Sequence, residues 1–384
     1  MNDRERFAAT MHYGPTDRTP IMDFNFWDET LPVWHGQGLP RHVNRSNSDD
    51  FFGMDFGIER AGQVVAVNAG LAPQFPQIVL EERGDHEIVQ QADGVRVLRR
   101  KFMGSIPQPV SHLLTDRESW ELHFKPRLNP ENPERYPEDW SKRCAYWLDP
   151  ERDVPAVLPG GSLYGWLRNW MGLENLSYLV YDDPGLFEEM VITVADCIIG
   201  SLTRILATGA NFEACGMWED MAYNSGPLLS PRHFKKYLVP QYRRITDLLH
   251  RHGVDVVWID CDGKIDLLIP HWLDAGVNCM FPLEVGTWGT DPIALRAEYG
   301  RDLLMMGGFD KHILARSKAD IEQEVYRLLP LIEEGGYIGF CDHRVPPDVP
   351  LQNYWFYLES VREVWGRGID LKAQGSLNVP ETVS

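Results

Sequence analysis

This sequence lacks the features of membrane and secreted proteins. No part of its 384 residues approaches the ~20 consecutive apolar residues needed to span a bilayer. The charged residues 1–6 are not followed by the apolar stretch of a secretion signal. We therefore expect a cytoplasmic protein that makes no contact with membranes.

Positive charge is scarce. The chain has 37 Lys and Arg against 56 Asp and Glu, which gives a net charge of −19 at pH 7. Nucleic acids and anionic membranes attract basic proteins, so this balance argues against both as partners. A high net charge also favours solubility, so it does not by itself identify a ligand.

Paired cysteines and nucleotide-binding motifs are absent as well. The six cysteines form no CxxC pair, so we interpret them as reduced thiols, mostly in the core. No GxGxxG follows the first predicted strand, and GxxxxGK[ST] does not occur. Nucleotide-binding folds therefore lose support.

From residue 154 onward, apolar runs of strand length alternate with helical patterns, several of which end in glycine. This alternation indicates parallel β/α units. Six or seven such units favour an α/β fold of the (β/α)₈ TIM-barrel type over an open doubly wound sheet, as one domain over residues 1–384. The predicted strands are 154–158, 212–217, 254–259, 277–281, 303–306 and 337–340. The predicted helices open at Pro184 and span 231–250, 265–273, 292–299, 319–333 and 351–365.

The first 150 residues are less regular. They predict a helix over 3–12 and a strand over 19–26. Residues 64–67, 87–89 and 94–102 have the pattern of strands, the last after an Asp-Gly turn. The stretch 126–140 is rich in proline and charge, as surface excursions are. We expect a β-rich elaboration over about residues 60–150 and a frayed tail over 367–384.

Polar clusters follow six of the predicted strands. They begin at Gly160, Trp218, Asp260, Glu284, Asp310 and Cys341. In a TIM barrel the carboxyl ends of the strands share one face, and that face carries the active site. Reactive groups gathered at these positions indicate an enzyme.

The segment Asp260-Cys261-Asp262-Gly263 is the most informative of these clusters. Residues i and i+2 of an extended strand end point to the same side, so both carboxylates can face the barrel mouth. There they could bind a divalent metal, hold a cationic group or share a proton. Alternatively, either aspartate could simply cap the following helix.

Other acidic groups and one histidine extend this site. His343 lies just after the last strand and is a candidate metal ligand or acid/base, with a structural histidine as the alternative. Glu219, Asp220 and Glu284 follow two further strands and are candidates for proton transfer or for a fourth ligand. Together these side chains predict an acidic, partly enclosed mouth.

Aromatic residues also fall near the strand ends. They are Trp27, Tyr164, Trp166, Trp170, Trp218 and Trp288. They could pack in the core and rim, or line a pocket for a flat or apolar substrate. The candidate substrate-binding residues are Trp27, Tyr164, Arg168, Trp218 and Asp310.

With these segments placed, the chain resembles the uroporphyrinogen decarboxylase-like superfamily. This group contains the decarboxylase of haem synthesis and barrel methyltransferases that exchange methyl groups with a corrinoid protein. The resemblance covers most of the chain and is best over 160–365. It rests on Ser230-Pro231 before a long helix, on Gly307-Gly308-Phe309-Asp310, and on the segment PDVPLQN at 347–353.

Two departures from the superfamily bear on function. Where the decarboxylases carry an arginine-bearing RQAGRY-type segment, residues 25–30 read NFWDET, whose acidic groups would repel a polycarboxylate. The methyltransferases ligate zinc with His-x-Cys-Gly and a late Cys, and the matching positions here hold Asp260, Asp262 and His343. The resemblance therefore implies Zn²⁺ held by oxygen and nitrogen ligands.

The resemblance supports three hypotheses. The first is a methyltransferase that moves a methyl group from a small methoxylated or methylated compound to a corrinoid carried by a partner protein, with the metal as Lewis acid. The second is a metal-free decarboxylase or lyase in which Arg168 or Lys311 holds a carboxylate. The third is a barrel that only binds a small ligand, which polar groups at so many strand ends disfavour.

Overall fold

The computed structural model describes residues 1–101 and 106–366, which contain two large sheets and a short two-stranded ribbon of Ala222–Tyr223 and Gly226–Pro227. A four-stranded antiparallel sheet contains β1 (Ile78–Arg83), β2 (His86–Gln90), β3 (Arg96–Arg100) and β4 (Gln108–Ser111). A six-stranded parallel sheet contains β5 (Val157–Gly161), β6 (Ala214–Trp218), β7 (Val257–Asp260), β8 (Cys279–Leu283), β9 (Leu304–Phe309) and β10 (Tyr337–Cys341). Neighbours in both sheets follow chain order.

Helices connect the parallel strands and cover the outside of the sheet. Before β5 they are Asp3–Met11, Thr30–Gly36, Ser48–Phe52, Ile58–Val65, Arg117–Ser119 with its continuation to Leu128, Pro133–Arg135 and Trp140–Leu148. After β5 they are Gly165–Met171, Leu173–Asp182, Pro184–Leu206, Pro231–His233 with its continuation through Phe234–Leu238 into Val239–Arg251, Ile269–Asp274, Pro292–Tyr299, Gly300–Asp302, Lys311–Leu314, Lys318–Glu334 and Leu351–Val364. No helix in the described ranges is long and apolar enough to cross a bilayer.

The parallel sheet curls into a TIM barrel. One buried cluster collects a side chain from every strand of the sheet: Val157, Ala214, Trp258, Phe281, Met306 and Phe340. Met22 and Phe24 of the N-terminal segment and Ala61 of the helix Ile58–Val65 pack into the same cluster. Phe26 forms a parallel bridge with Val345, just beyond β10. Side chains from both edges of the sheet therefore meet inside it, and the N-terminal segments fill the gap between β10 and β5.

Two expected N-terminal strands are not regular strands. The segment 19–26 is irregular and bridges only at Phe26 within the described residues, because Pro20 has no N–H and Asn25 takes a left-handed φ of 66°. The strand predicted over 64–67 is wrong. Val65 ends a helix there, and Ala66 turns the chain with a φ of 51°.

The β/α alternation is confirmed from β5 onward, with shifted boundaries. The helix at Pro184 is capped as predicted, since the Asp183 carboxylate accepts a hydrogen bond from the Leu186 N–H at 2.9 Å. The helices Gly165–Met171 and Leu173–Asp182, which separate at Gly172, were not predicted. The predicted helix 265–273 begins only at Ile269.

The elaboration is β-rich only in part. β2 and β3 form the predicted hairpin, β1 and β4 extend it without having been predicted, and most of 117–148 is helical. The excursion over 126–140 is fixed rather than loose, because the buried Arg135 guanidinium donates to the carbonyls of Asn129, Asn68 and Arg127. Phe102, at the end of one predicted arm, and the predicted frayed tail 367–384 lie outside the described residues.

Asp23 ties the N-terminal segment to the last helix. Its carboxylate accepts hydrogen bonds from the Phe24 N–H at 2.8 Å and from the Tyr354 hydroxyl at 3.0 Å. Burial raises the pKa of Asp23 to about 8, although both hydrogen bonds act in the opposite direction. The folded protein therefore holds a proton here that the unfolded chain releases above its ordinary pKa of 3.8.

We expect Asp23→Asn to remove this proton linkage. The folded-state pKa is raised, so the stabilisation is complete below pH 3.8 and is lost as pH rises towards about 8. Across that window the free energy of unfolding of the variant should gain about 1.4 kcal/mol per pH unit relative to wild type. Urea unfolding of both proteins at about pH 5.5 and pH 7.5 measures this. Parallel pH dependences in the two proteins would contradict it.

Candidate metal-binding and active site

The carboxyl ends of the parallel strands bring the predicted carboxylates together. β-sheet register places Asp260 level with Trp218 on β6 and with Phe281 on β8. Asp262 lies on the same side as Asp260, whereas Cys261 points the other way into the main core, where its sulfur accepts the Met221 N–H at 3.3 Å. The i, i+2 geometry expected from the sequence is present.

Asp220 joins these two residues in an acidic cluster of Asp220, Asp260 and Asp262. One carboxylate oxygen from each lies within 4.8 Å of the other two. The Asp262 N–H donates to the Asp220 carboxylate at 3.2 Å. Asp220 has a φ of 41°, a strained conformation for a residue with a side chain, and such strain is common at functional sites.

Burial and, after it, mutual repulsion disfavour the charged forms of the acidic cluster. Burial raises the pKa of Asp220 to about 6, and the charge of Asp262 adds to the effect. Burial also raises the pKa of Asp260 well above its ordinary value, reinforced by the charges of Asp220 and Asp262. The charge of Arg344 already opposes the shift of Asp260, and a divalent cation held by these residues would offset both the burial and the repulsion.

His343 lies beside the acidic cluster, outside the group of carboxylate oxygens that lie within 4.8 Å of one another. Its Nε2 lies 3.2 Å from the Asp262 carboxylate. The ring stacks on Trp27 with centroids 5.3 Å apart and meets the edge of Phe24 at 5.5 Å. These two aromatic side chains hold the imidazole with one nitrogen towards the acidic cluster.

The residues present fit a divalent metal ion. The buried Asp262 Oδ1 has no hydrogen-bond partner in the described part of the chain, which is costly unless a ligand occupies it. Carboxylate oxygens and one imidazole nitrogen form a hard donor set that Zn²⁺ accepts. Asp260, Asp262 and His343 were the predicted ligands, and Asp220 is the addition from the structure.

A buried ion-pair network supports the cluster from the neighbouring strand ends. The Lys311 ammonium lies 2.9 Å from the Glu284 carboxylate and 3.5 Å from that of Asp342. Glu284 also accepts hydrogen bonds from the Gly263 N–H at 3.2 Å and from the Trp288 indole. This support network of Glu284, Lys311 and Asp342 joins the loops after β7, β8, β9 and β10.

Asp342 is the centre of the support network. It is fully buried, and its oxygens accept the N–H groups of Val285 at 2.9 Å and of Gly286 and Lys311 at 3.1 Å each. Burial raises the pKa of Asp342, although Lys311 opposes the shift. Burial lowers the pKa of Lys311, but the charges of Asp342 and Glu284 outweigh this and raise it.

We expect Lys311→Met to destabilise the fold and to weaken metal binding together. Two buried carboxylates would lose their cation, which costs about 3–5 kcal/mol of unfolding free energy. The loop that carries Asp262 would lose its fixed position, so metal affinity should fall at least about 10-fold. Thermal unfolding and metal titration measure the two effects. Lys264→Met, at an exposed lysine one residue beyond Gly263, is the matched control and should change neither.

Three predicted site residues lie elsewhere. Glu219 is fully buried, and Tyr164 lies in the main hydrophobic core, where it cannot contact a ligand in the barrel mouth. Asp310 caps the helix Lys311–Leu314 and pairs with His312 at 2.8 Å. Strand patterns do not show which of two adjacent residues faces the mouth, and the assignment of these three residues to the site stays a prediction.

Glu219 binds the loop that follows β5. Its carboxylate accepts five hydrogen bonds at 2.6–2.9 Å: from the Ser162 hydroxyl, the N–H groups of Leu163, Tyr164 and Gly165, and the Tyr242 hydroxyl. Burial raises the pKa of Glu219 and these donors lower it. The residue locks the loop after β5 to the end of β6.

A cavity of about 840 Å³ lies between the barrel mouth and the antiparallel sheet. Asp260 and Trp218 line it on the barrel side, and Val79 and Val89 line it on the side of the antiparallel sheet. The elaboration therefore covers the mouth, which the sequence left open. Arg168 lies beside the cavity, where its guanidinium donates to the Asp220 carbonyl and sits 5.4 Å from the Trp218 ring.

Sequence reasoning missed two contributors. Trp258 lines the cavity, but its apolar strand context predicts only a core residue. Asp342 was seen only as a neighbour of His343, because the backbone groups that it binds come from other strand ends. Of the aromatic residues predicted near the strand ends, Trp166, Trp170 and Trp218 line the cavity.

Comparison with known proteins agrees with this architecture. The uroporphyrinogen decarboxylase of Hydrogenovibrio crunogenus is 23% identical over 195 residues, which are 50% of this chain and 52% of that protein. The uroporphyrinogen decarboxylase of Colwellia psychrerythraea is 26% identical over 200 residues, again 50% and 52%. The match spans about half the length of these curated relatives.

A solved structure of a methyltransferase from Methanosarcina mazei has a similar fold. It superposes with a TM-score of 0.55 at 15% identity, over 94% of this chain and 99% of that chain. At this identity the likeness concerns the fold alone. Residues 168–364, just over half of the chain, match the family described as Uroporphyrinogen decarboxylase (URO-D). The resemblance seen in the sequence is confirmed, and the chain belongs to the uroporphyrinogen decarboxylase (URO-D) family.

Proposed function

We propose that this protein is a metal-assisted methyltransferase. It would move a methyl group from a small methoxylated or methylated compound to a corrinoid carried by a partner protein. The observation that carries this proposal is the acidic cluster with His343 beside it, at the barrel end of a large cavity. Three converging carboxylates would repel the carboxylate of a decarboxylase substrate.

The chain's own residues would perform three tasks. Asp220, Asp260, Asp262 and His343 would hold Zn²⁺, which supplies Lewis acidity towards the oxygen that loses its methyl group. Trp27 would hold the imidazole in place, and the elaboration would cover one side of the cavity. Glu284 is committed to Lys311, Gly263 and Trp288, so its role is to position the loops rather than to transfer a proton.

The pairing of the lysine and arginine side chains near the cavity disfavours the alternative, a metal-free decarboxylase or lyase. Lys311 is paired with Glu284 and Asp342, and Arg168 donates to the Asp220 carbonyl. Among the described residues that line the cavity the only cation is Arg99, which pairs with Glu87 at 2.9 Å. A substrate carboxylate in the cavity would therefore meet only a cation that already has a partner, since Arg344, whose charge acts on Asp260, lies outside the cavity lining.

Methyl transfer and decarboxylation are distinguished by their products. Zinc-supplemented protein is incubated with methoxylated compounds and corrinoid proteins, and cobalt methylation is followed by absorbance while released CO₂ is measured. We expect cobalt methylation without CO₂, and at least about a 100-fold loss of rate in folded His343→Ala. His312→Ala, at an exposed histidine near the same barrel face, is the control and should remain active. CO₂ release, or an active and metal-replete His343→Ala, would contradict the proposal.

A further inference from the structure

Tryptophan rings line the cavity on the barrel side. Trp166 and Trp170 stack on each other with centroids 5.9 Å apart and an interplanar angle of 19°. Trp258 lies at the inner end beside Phe281, with centroids 6.1 Å apart. Trp218 lines the cavity as well. Such rings bind flat, apolar groups through large contact areas at fixed geometry.

Glycines make room for these rings. A Cβ at Gly216 would lie 2.7 Å from the Trp258 indole, and a Cβ at Gly161 would lie 2.6 Å from Trp166. Gly161 also has a left-handed φ of 66°. The backbone is therefore recessed where two of the indoles rest, which shows that the ring positions are built into the barrel.

Hydrogen-bond donors face the cavity without partners. The indole N–H of Trp258 has no hydrogen-bond partner within the described residues, although the residue is only 5% exposed. The side-chain amides of Gln74, Gln77 and Gln91 also line the cavity, the first two at its exposed edge. A donor left in an apolar surrounding calls for an acceptor oxygen on the ligand.

Two of the charged side chains that line the cavity already have partners. Arg99 pairs with Glu87, and the Asp93 carboxylate accepts the Val95 N–H at 3.0 Å. Asp260 belongs to the acidic cluster, where its charge would be balanced by the metal. A quaternary ammonium ligand would offer no acceptor to Trp258 and would approach the guanidinium that already lies over Trp218.

We propose that the cavity binds an uncharged aromatic ring with ether or hydroxyl oxygens, so that the methyl donor is a neutral methoxyarene. Its role as methyl donor rests on the proposed function, whereas its binding does not. Trp218, Asp260 and Phe281 are level across three adjacent strands, so a ring held there lies within about one strand spacing of the acidic cluster. In the transfer the O–CH₃ bond breaks, the methyl group bonds to a two-electron nucleophile on the partner, and the oxygen keeps the electron pair and takes up one proton.

Binding is tested on the full chain by calorimetric titration, which needs neither turnover nor a partner. The probes are 1,2-dimethoxybenzene, 3,4-dimethoxybenzoate, methoxycyclohexane and phenyltrimethylammonium, each with and without Zn²⁺. We expect 1,2-dimethoxybenzene to bind at least about 10-fold more tightly than each of the other three, because only it combines a flat ring, acceptor oxygens and no charge.

Matched variants locate the binding site. Trp166→Leu should lower the affinity for 1,2-dimethoxybenzene at least about 10-fold. Gly216→Ala should lower it by a similar factor, because the added methyl group would displace Trp258. Trp258→Phe keeps a ring and loses the N–H, so it should reduce the preference for the ether over plain benzene without unfolding the barrel. Trp355→Leu, at a half-buried tryptophan on the helix Leu351–Val364, is the control and should leave affinity unchanged.

Either set of outcomes decides the proposal. Equal or tighter binding of the benzoate, the saturated ether or the ammonium would overturn it, as would unchanged affinity in folded Trp166→Leu and Gly216→Ala. Selective ring binding in a protein that takes up no metal would retain this inference and remove the proposed function. Metal binding without selectivity for the aromatic ring would remove this inference and retain the proposed function.

Discussion

Asp260→Asn is expected to give a protein that is more stable than wild type without metal and is no longer stabilised by metal. The acidic cluster holds like charges within 4.8 Å of each other. Neutralising one of them should raise the free energy of unfolding by at least about 1.4 kcal/mol, the equivalent of one pKa unit. The same change removes an anionic ligand, so the rise in melting temperature that Zn²⁺ gives wild type should disappear.

Thermal unfolding with and without added Zn²⁺ measures both parts of this prediction. Asp310→Asn is the matched control, because Asp310 lies at the same barrel face and its carboxylate is outside the acidic cluster. The control should lose a little stability through its weakened cap and should still respond to metal. A destabilised, metal-responsive Asp260→Asn would show that Asp260 is structural.

Glu219→Gln is expected to destabilise the fold and to leave metal binding intact. All five groups around the carboxylate are donors, so the amide NH₂ of glutamine would face N–H and O–H groups that need acceptors. We expect a loss of about 2–4 kcal/mol of unfolding free energy. At temperatures below its lowered unfolding transition, the variant should bind as much metal per chain as wild type.

Urea unfolding and metal titration at low temperature distinguish structure from chemistry at this position. Glu188→Gln, at an exposed glutamate on the helix Pro184–Leu206, makes the same chemical change and should have little effect on either quantity. A stable Glu219→Gln that has lost its metal would place Glu219 in the active site, as the sequence alone suggested.

The contrast between Glu219 and Asp220 shows how far sequence reasoning reaches. Strand periodicity located the strand end after Trp218 and correctly gathered acidic groups there. It could not tell which of two adjacent carboxylates faces the mouth, because Asp220 turns through a left-handed conformation that no pattern predicts. Asp260 and Asp262 were easier, since the i, i+2 spacing on an extended strand end determines their common direction.

The first half of the chain limited prediction in a different way. Val64 and Val65 have the composition of a strand, yet packing against the barrel makes them the end of a helix. The cover over the mouth depends on contacts between the β1–β4 sheet and residues far along the chain, and local patterns carry no information about such contacts. The aromatic side chains near the strand ends were recognised, whereas their arrangement around one cavity required the fold.

Metal content tests the central claim, that the acidic cluster with His343 is a metal site. Purified wild type and Asp260→Ala are reconstituted with Zn²⁺, passed through a desalting column and measured by elemental analysis. Our account predicts about one zinc per chain in wild type and almost none in folded Asp260→Ala. Absence of metal from both proteins, or equal metal in both, would contradict the account, and absence from both would place the metal-free lyase first.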